Sequence, residues 1–166
     1  MIVWRVAFFV SALLLGTSTI ALATSNYEYG PSEYVTVASG ISPDGKYAVT
    51  AHGGGELGYD NFHLYLTDAI SGKNIGPFEE IVDTLDTAAH AFSAKWSSNS
   101  KQVIVIYRVD RHAPLKAVSY RVARGRARCN KGPFDVKSDE LLKYWQIHSS
   151  ATQPNAKIFG TPFKHK

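Results

Sequence analysis

Short stretches of alternating apolar and polar residues recur along the chain, and turn signals separate them. Tyr34–Ala38 and His63–Thr67 alternate in this way, and further strands are predicted over Tyr47–Ala51 and Gln102–Val109. A period of two residues indicates a β-strand with one buried face, because successive side chains of a strand point to opposite sides. The pattern therefore predicts a mainly β fold.

Two motifs occur twice at nearly the same spacing. The turn Ser42–Lys46 (Ser-Pro-Asp-Gly-Lys) is matched 55 positions later by Ser97–Lys101 (Ser-Ser-Asn-Ser-Lys), and an apolar strand follows each. The stretch Asn74–Glu79 is matched 56 positions later by Asn130–Asp135, with Gly-Pro-Phe in both. Two separate matches at nearly one offset indicate that the chain contains a duplicated unit.

Each copy is predicted to end in a short helix. After both Gly-Pro-Phe motifs, large side chains recur at helical spacing, and Ser138 is a suitable N-cap for the second helix. These side chains are Phe78, Ile81, Val82 and Leu85 in the first copy, and Leu141, Leu142, Trp145 and His148 in the second.

The predicted fold class is mainly β (α+β), with two tandem antiparallel β-meander units that are each followed by a short helix. The copies are expected at about 34–85 and 91–148, within a single domain over residues 24–148. The tail from 149 to 166 is polar and contains two prolines, which predicts disorder.

The first copy contains the Ser-Pro-Asp-Gly-Lys turn, a strand that ends at Asp68, and the turn Ser71-Gly72-Lys73. With these features it resembles one blade of a TolB-type, WD40-like β-propeller, and Lys95–Ile106 resembles a degenerate second blade. Two blades do not close a ring, because propellers contain about four to eight. We favour a compact domain that uses blade-like hairpins; an oligomer that pools blades from several chains is the alternative.

Residues 1–23 have the three parts of a secretory signal peptide. Arg5 supplies a positive charge, Val6–Leu15 is an apolar run, and Ala21-Leu22-Ala23 has the small-residue spacing of a cleavage site. We expect cleavage after Ala23, export to the bacterial periplasm or the medium, and no stable membrane insertion afterwards. An uncleaved membrane anchor is the alternative, since the apolar stretch just reaches the length that spans a bilayer.

The net charge is mildly positive, and one segment concentrates it. The chain has 18 basic and 14 acidic side chains, a formal charge of +4, and removal of the signal peptide takes away one basic residue. Alternation along a strand would place Arg124, Arg126 and Arg128 on one face, near Lys131, where guanidinium groups can bind phosphates or carboxylates. Predicted export excludes nucleic acid, so a protein or an anionic cell-envelope component is the expected partner. A solvated hairpin tip around Gly125 is the alternative.

Two histidines and an aspartate flank a glycine-rich loop. His52, Asp60 and His63 lie on either side of Gly53–Gly58 and are candidates for a zinc site or an acid–base pair. Their spacing matches no established ligand pattern, so structural or solvated roles are the favoured alternative. The loop satisfies G-x-G-x-x-G, but a strand follows it where a nucleotide site needs a helix. We therefore expect no cofactor, and we count His52 and Tyr59 among the candidate binding residues.

Cys129 is the only cysteine, which excludes an intrachain disulfide. We expect it to be inert; the alternatives are pairing with another chain and a redox-reactive thiol, whose pKa the neighbours Arg126, Arg128 and Lys131 could lower.

No nucleophile or catalytic set emerges from the remaining residues, since the G-x-S-x-G motif is missing. The predicted function is an exported, non-enzymatic binding or scaffold module. A metal-dependent or acid–base hydrolase that uses His52, Asp60 and His63 is the first alternative. An oligomeric, lectin-like sugar binder is the second.

Overall fold

The computed structural model describes residues 27, 29–53, 61–110, 112–137 and 157–160. Strands dominate this part of the chain, which confirms the mainly β prediction. A single 3-10 turn, Ala89–Ala91, is the one helical element among the described residues. The strands are β1 (Tyr34–Ile41), β2 (Tyr47–His52), β3 (His63–Asp68), β4 (Asn74–Pro77), β5 (Ser93–Trp96), β6 (Gln102–Tyr107), β7 (Lys116–Ala123), β8 (Arg126–Asp135) and β9 (Ile158–Phe159).

The strands form one curled sheet in the order β4-β3-β2-β1-β5-β6-β7-β8, and β9 also pairs with β1. Neighbours along this order are antiparallel except β1 and β5, which are parallel. The sheet therefore consists of a first unit (β1–β4) and a second unit (β5–β8), each made of four consecutive antiparallel strands. The edge strands β4 and β8 come into contact, so the sheet curls into a half-barrel.

The two units join through a short parallel contact. Ala38 on β1 pairs with Ser93 on β5, and the Ala38 amide donates to the Phe92 carbonyl oxygen at 3.2 Å. The Trp96 indole N–H donates across the same junction to the Gly40 carbonyl oxygen at 2.8 Å. Side chain and backbone therefore both hold the inner strands together.

The repeated turns have the same hydrogen bonds in both units. In each, the first serine hydroxyl donates to a side-chain oxygen two residues later and accepts from the amide five residues later. Gly45 has a φ of 69° in the first turn, and Ser100 takes the same place with a φ of 58° in the second. The distances are 2.7 and 2.9 Å from Ser42 to Asp44 and Tyr47, and 2.8 and 3.0 Å from Ser97 to Asn99 and Gln102.

The main core fills the concave side of the sheet and draws on both units. Phe78, which follows β4, packs edge-on against Tyr120 of β7 with ring centroids 4.5 Å apart. Removing this apolar surface from water is the principal stabilising contribution to the fold. Among the most deeply buried members are Val49, Ala51, Leu64, Leu66, Phe78, Phe92, Val103, Val105, Val118 and Tyr120.

The helix predicted after the first unit is absent, so that prediction is wrong. Phe78 and Ile81 are buried, but Val82 and Leu85 are each 47% exposed. Asp83 between them has a φ of 57°, which a right-handed helix does not allow. An irregular segment that anchors two side chains in the core produces the same apolar spacing as a helix. The second predicted helix, at 138–148, lies outside the described residues.

In the described part of the chain, no helix is long and apolar enough to cross a membrane.

A two-residue strand from the C-terminal region, β9, lies against the start of β1. The Lys157 amide donates to Thr36 Oγ1 at 2.7 Å, and its Nζ donates to the Ala69 carbonyl oxygen at 2.9 Å. Phe159 is buried at 6% exposure. Residues 157–160 fall within the tail that the sequence predicts to be disordered. Of these, Ile158 and Phe159 pair with β1, and the Lys157 carbonyl oxygen accepts from the Thr36 amide at 3.0 Å.

Candidate functional site

The hairpin of β7 and β8 turns through two residues, Arg124 and Gly125. Their φ angles are 51° and 68°, as in a type I′ turn, whose twist suits a two-residue hairpin. Glycine adopts this conformation freely, whereas the Cβ of an arginine disfavours it. The turn fixes the register of the ladder, in which Arg121 lies opposite Arg128 and Ala123 opposite Arg126.

Four arginines line one groove at the tip of this hairpin, and we call it the arginine groove. Arg121, Arg126 and Arg128 share the face turned away from the main core, because side chains alternate along both strands. The small side chain of Ala123 leaves a depression between them. The groove has a volume of about 560 Å³ and is lined by Arg121, Ala123, Arg124, Arg126 and Arg128.

The positive charge of the arginine groove has no acidic partner among the described residues. The one ion pair in that part of the chain joins Lys116 Nζ to an Asp135 carboxylate oxygen at 3.2 Å, toward the other end of the hairpin. Arg121 and Arg128 face each other directly, and like charges in opposing positions destabilise a strand pair. An anion bound between them would turn this repulsion into attraction.

The structure brings together three of the predicted binding residues, Arg124, Arg126 and Arg128, in the arginine groove. Arg126 and Arg128 lie on the strand as alternation requires, whereas Arg124 reaches the groove from the turn. Sequence reasoning missed Arg121, which would follow from pairing the strands outward from Arg124–Gly125. Lys131 does not line the groove, and its Nζ lies 5.2 Å from the centre of the Phe134 ring.

Cys129 has the opposite pKa shift from the one its sequence neighbours suggested. It pairs with Tyr120 on the core side of the ladder, whereas Arg126 and Arg128 point to the other face. Partial burial and the nearby Glu80 carboxylate raise the pKa of the Cys129 thiol above its usual value. The direction of this shift favours the inert cysteine over the alternative of an activated thiol, although the side chain is exposed.

His52 and His63 are direct cross-strand neighbours, but their described ring contacts are with aromatic residues. The His52 ring stacks on Tyr34 with centroids 4.2 Å apart, and its Nδ1 lies 2.7 Å from the Glu33 carbonyl oxygen. The His63 ring meets Tyr65 edge-on at 6.1 Å. His63 Nδ1 is buried and has no hydrogen-bond partner among the described residues.

Two of the three residues of the predicted metal site, His52 and His63, are among the described residues. Asp60 and Tyr59 lie outside the described residues. Within those residues, no group of three side chains is arranged to hold a metal ion. A site built from His52, Asp60 and His63 thus stays a prediction.

Comparisons with known proteins give no family for this chain: no family model, curated protein or solved structure matches it. Its function must therefore be inferred from the residues and their geometry.

Proposed function

We propose that this protein is an exported, non-enzymatic binding module that captures an anionic component of the cell envelope, or an acidic protein, through the arginine groove. The observation that carries the proposal is the convergence of four arginines in one groove with no acidic partner among the described residues. The features of a signal peptide in residues 1–23 support export.

Guanidinium groups suit this task because of their shape. Each is planar, remains charged at all physiological pH values, and can donate two parallel hydrogen bonds to one phosphate or carboxylate. Arg126 and Arg128 are two residues apart on one strand, so their Cα atoms are about 6.8 Å apart. A polymer with repeated anionic groups would engage several arginines at once, and multiple contacts compensate for weak single ones.

We also propose that the two units derive from one duplicated, blade-like hairpin pair. The matching hydrogen bonds of the turns at Ser42 and Ser97 support this proposal. An oligomer that pools units from several chains remains compatible with it, and the solution mass of the protein would reveal such an assembly.

The test measures binding of two soluble polyanions, a polyphosphate and a polygalacturonate, to the protein and to the double variant Arg126→Glu with Arg128→Glu. We expect binding to at least one polymer at low salt, a decrease of at least about tenfold in the variant, and weakening as salt screens the charges. The two polymers separate phosphate recognition from carboxylate recognition.

The matched control is Lys46→Glu with Lys73→Glu, which makes the same change in net charge at exposed positions of the first unit. This control should bind within about twofold of the unchanged protein if the groove is a site, because general charge then contributes little. Equal losses in both double variants, or none in the arginine variant, would overturn the proposal.

The two alternatives make different predictions. A hydrolase at His52, Asp60 and His63 requires stoichiometric metal or an acid–base activity that is lost when His52 is replaced, so elemental analysis of untreated protein tests its zinc form. A lectin-like oligomer would bind neutral sugars, which the arginine variant should still do. We favour the binding module because four arginines converge in one groove, whereas the rings of His52 and His63 contact tyrosines.

A further inference from the structure

A cleft opens between β1 and the segment that leads into the second unit. Its volume is about 350 Å³, within the range of about 300–1,000 Å³ that small-molecule sites occupy. It shares no residue with the arginine groove. The residues that form its body are Tyr27, Tyr29, Val35, Val37, Ala88 and Ala89.

Two tyrosines form an apolar wall of this cleft because their hydroxyl groups are already engaged. The Tyr27 and Tyr29 rings meet edge-on with centroids 4.6 Å apart. The Tyr27 hydroxyl donates to Glu33 Oε1 at 2.8 Å, and the Tyr29 hydroxyl donates to the Thr87 carbonyl oxygen at 2.7 Å. The bond to Glu33 raises the pKa of Tyr27, and burial raises that of Tyr29, so both rings stay neutral. They offer carbon surface to an occupant.

The same hydrogen bonds hold the cleft in shape. The Tyr27 amide donates to Thr87 Oγ1 at 2.8 Å, and this hydroxyl donates back to the Tyr27 carbonyl oxygen at 3.2 Å. Glu33 is fully buried and also accepts from the Gly30 amide at 3.0 Å. Both walls are thus tied together by the protein itself, and a site formed in advance binds more tightly than one that must be ordered by its ligand.

The mouth of the cleft combines an exposed apolar side chain with polar ones. Ile158 on β9 is 46% exposed, and Ser39 and His90 also lie at the surface. An apolar pocket with a few polar groups at its edge is typical of sites for small organic molecules, since the walls supply affinity and the rim orients the ligand.

We propose that this cleft binds a compact, uncharged, mostly apolar molecule, such as a small aromatic compound. The volume of the cleft equals that of about a dozen water molecules in the liquid. A charged ligand would lose its hydration among valine, alanine and tyrosine side chains without gaining an opposite charge from the tyrosines. A free sugar would leave most of its hydroxyl groups unpaired against the same walls.

The experiment uses indole as the probe and glucose, a polar molecule of comparable size, as its matched control. Both are titrated into the ¹⁵N-labelled full chain while backbone amide signals are followed by NMR. We expect indole to shift the amides of Val37, Ala89 and Ile158 in a saturable manner, and glucose to leave them in place. Equal shifts with both probes, or no shift with indole, would overturn the proposal.

Two variants test the position of the site, and a third controls for them. Ala89→Leu would fill the body of the cleft, and Ile158→Trp would cover its mouth at a position that is already half exposed, so at least the latter should fold. We expect each to weaken indole binding by at least about tenfold. Ile70→Trp makes the isoleucine substitution at an exposed position outside both the cleft and the arginine groove, and it should leave binding unchanged. Unaltered binding in Ile158→Trp would contradict the assignment.

Discussion

The first and second units share a strand order and a turn, yet they bury opposite faces. Counted from the equivalent turns, Tyr47 corresponds to Gln102, and Ala48 corresponds to Val103. Tyr47 packs against the main core, whereas Gln102 is exposed. Conversely, Val103 is fully buried in the main core, while Ala48 belongs to a small cluster with Phe159 on the other side of the sheet.

The parallel junction explains this inversion. Ala38 and Ser93 are equivalent by the same count, and they pair directly across β1 and β5. A two-fold axis that runs parallel to these two strands would exchange the units, and the rotation would turn the sheet of one unit over relative to the other. The strand order agrees with this symmetry, because it runs from the fourth strand of a unit to the first when it is read from either edge. The curl then places the core against a different face of each unit. A duplicated sequence pattern therefore does not determine which face of each copy is buried.

The β3–β4 hairpin of the first unit and the β7–β8 hairpin of the second differ in the partners of their charged side chains. Asp68 in the first unit lies opposite Tyr47, and Arg121 holds the same ladder position opposite Gln102 in the second. The Asp68 carboxylate accepts bonds from the Ile70 and Ser71 amides at 3.0 and 2.8 Å, and the bonds from Ser71 chiefly hold its pKa below the usual value. Backbone amides of the first hairpin thus satisfy the Asp68 carboxylate. The second hairpin presents four arginines that have no acidic partner among the described residues, and this difference is the reason that we propose a binding site there.

The largest expected effect concerns the core contact between the two units, in which Phe78 packs against Tyr120. Phe78→Ala removes a ring that packs on Tyr120, and we expect it to lower the free energy of unfolding by about 3–5 kcal/mol. Because the core is shared, urea should unfold both units in one transition. Val82→Ala, at an exposed position nearby, should change stability by less than about 0.5 kcal/mol. Separate transitions for the two units would show that they are independent.

A smaller effect tests whether the two turns are equivalent. Gly45→Ser gives the first turn the residue that the second has at Ser100, at a φ of 69° and with no atom near the added Cβ. We expect a loss of about 1 kcal/mol from the disfavoured backbone conformation, without a change of fold. Thermal unfolding measures it. A loss several times larger would mean that the turns only resemble each other.

The charge difference between the hairpins can be reduced by placing an acid in the arginine groove. Ala123→Glu sets a carboxylate opposite Arg126, and we expect a gain of about 0.2–1 kcal/mol in unfolding free energy. The gain should shrink at about 1 M salt, where charges are screened. Ala123→Gln serves as the neutral control. If Gln and Glu act alike, the arginines do not repel one another appreciably.

The smallest effect is a pH dependence that only the first turn should have. The Asp44 carboxylate accepts a hydrogen bond from Ser42, and this bond contributes most to holding the pKa of Asp44 below the usual 3.8. The ionised carboxylate therefore stabilises the folded state above that pH. This contribution is lost as the pH falls through the lower folded value. Asp44→Asn copies Asn99, which does not titrate, and its melting temperature should therefore decline less between about pH 5 and pH 2. Parallel declines would contradict the assignment.

The sequence predicts the strands and turns well because both are local. Alternation located β1 and β3, and the serine turns follow from their own hydrogen-bonding residues. The helix after Phe78 was predicted wrongly because long-range packing, such as the contact with Tyr120, overrides local spacing. The inverted burial of the second unit depends on the junction at Ala38, which no local pattern reveals.

The arginine groove was partly predictable for the same reason. Alternation identified Arg126 and Arg128, whereas Arg121 required the strand pairing and Arg124 required the turn geometry. Lys131 is close in sequence but falls outside the groove, because it pairs with Ser119, farther from the hairpin tip, where its Nζ lies 5.2 Å from the centre of the Phe134 ring. The apolar cleft carries no sequence motif, since its walls come from distant segments.

The most direct test of the account follows the arginine side-chain NMR signals while polyphosphate is added at low salt. We predict that the Nε–H signals of Arg121, Arg124, Arg126 and Arg128 shift together and saturate, while that of Arg108, an exposed arginine outside the groove, and the amides of the first hairpin do not move. Shifts of equal size at Arg108, or none at the four arginines, would contradict a binding site on the second hairpin.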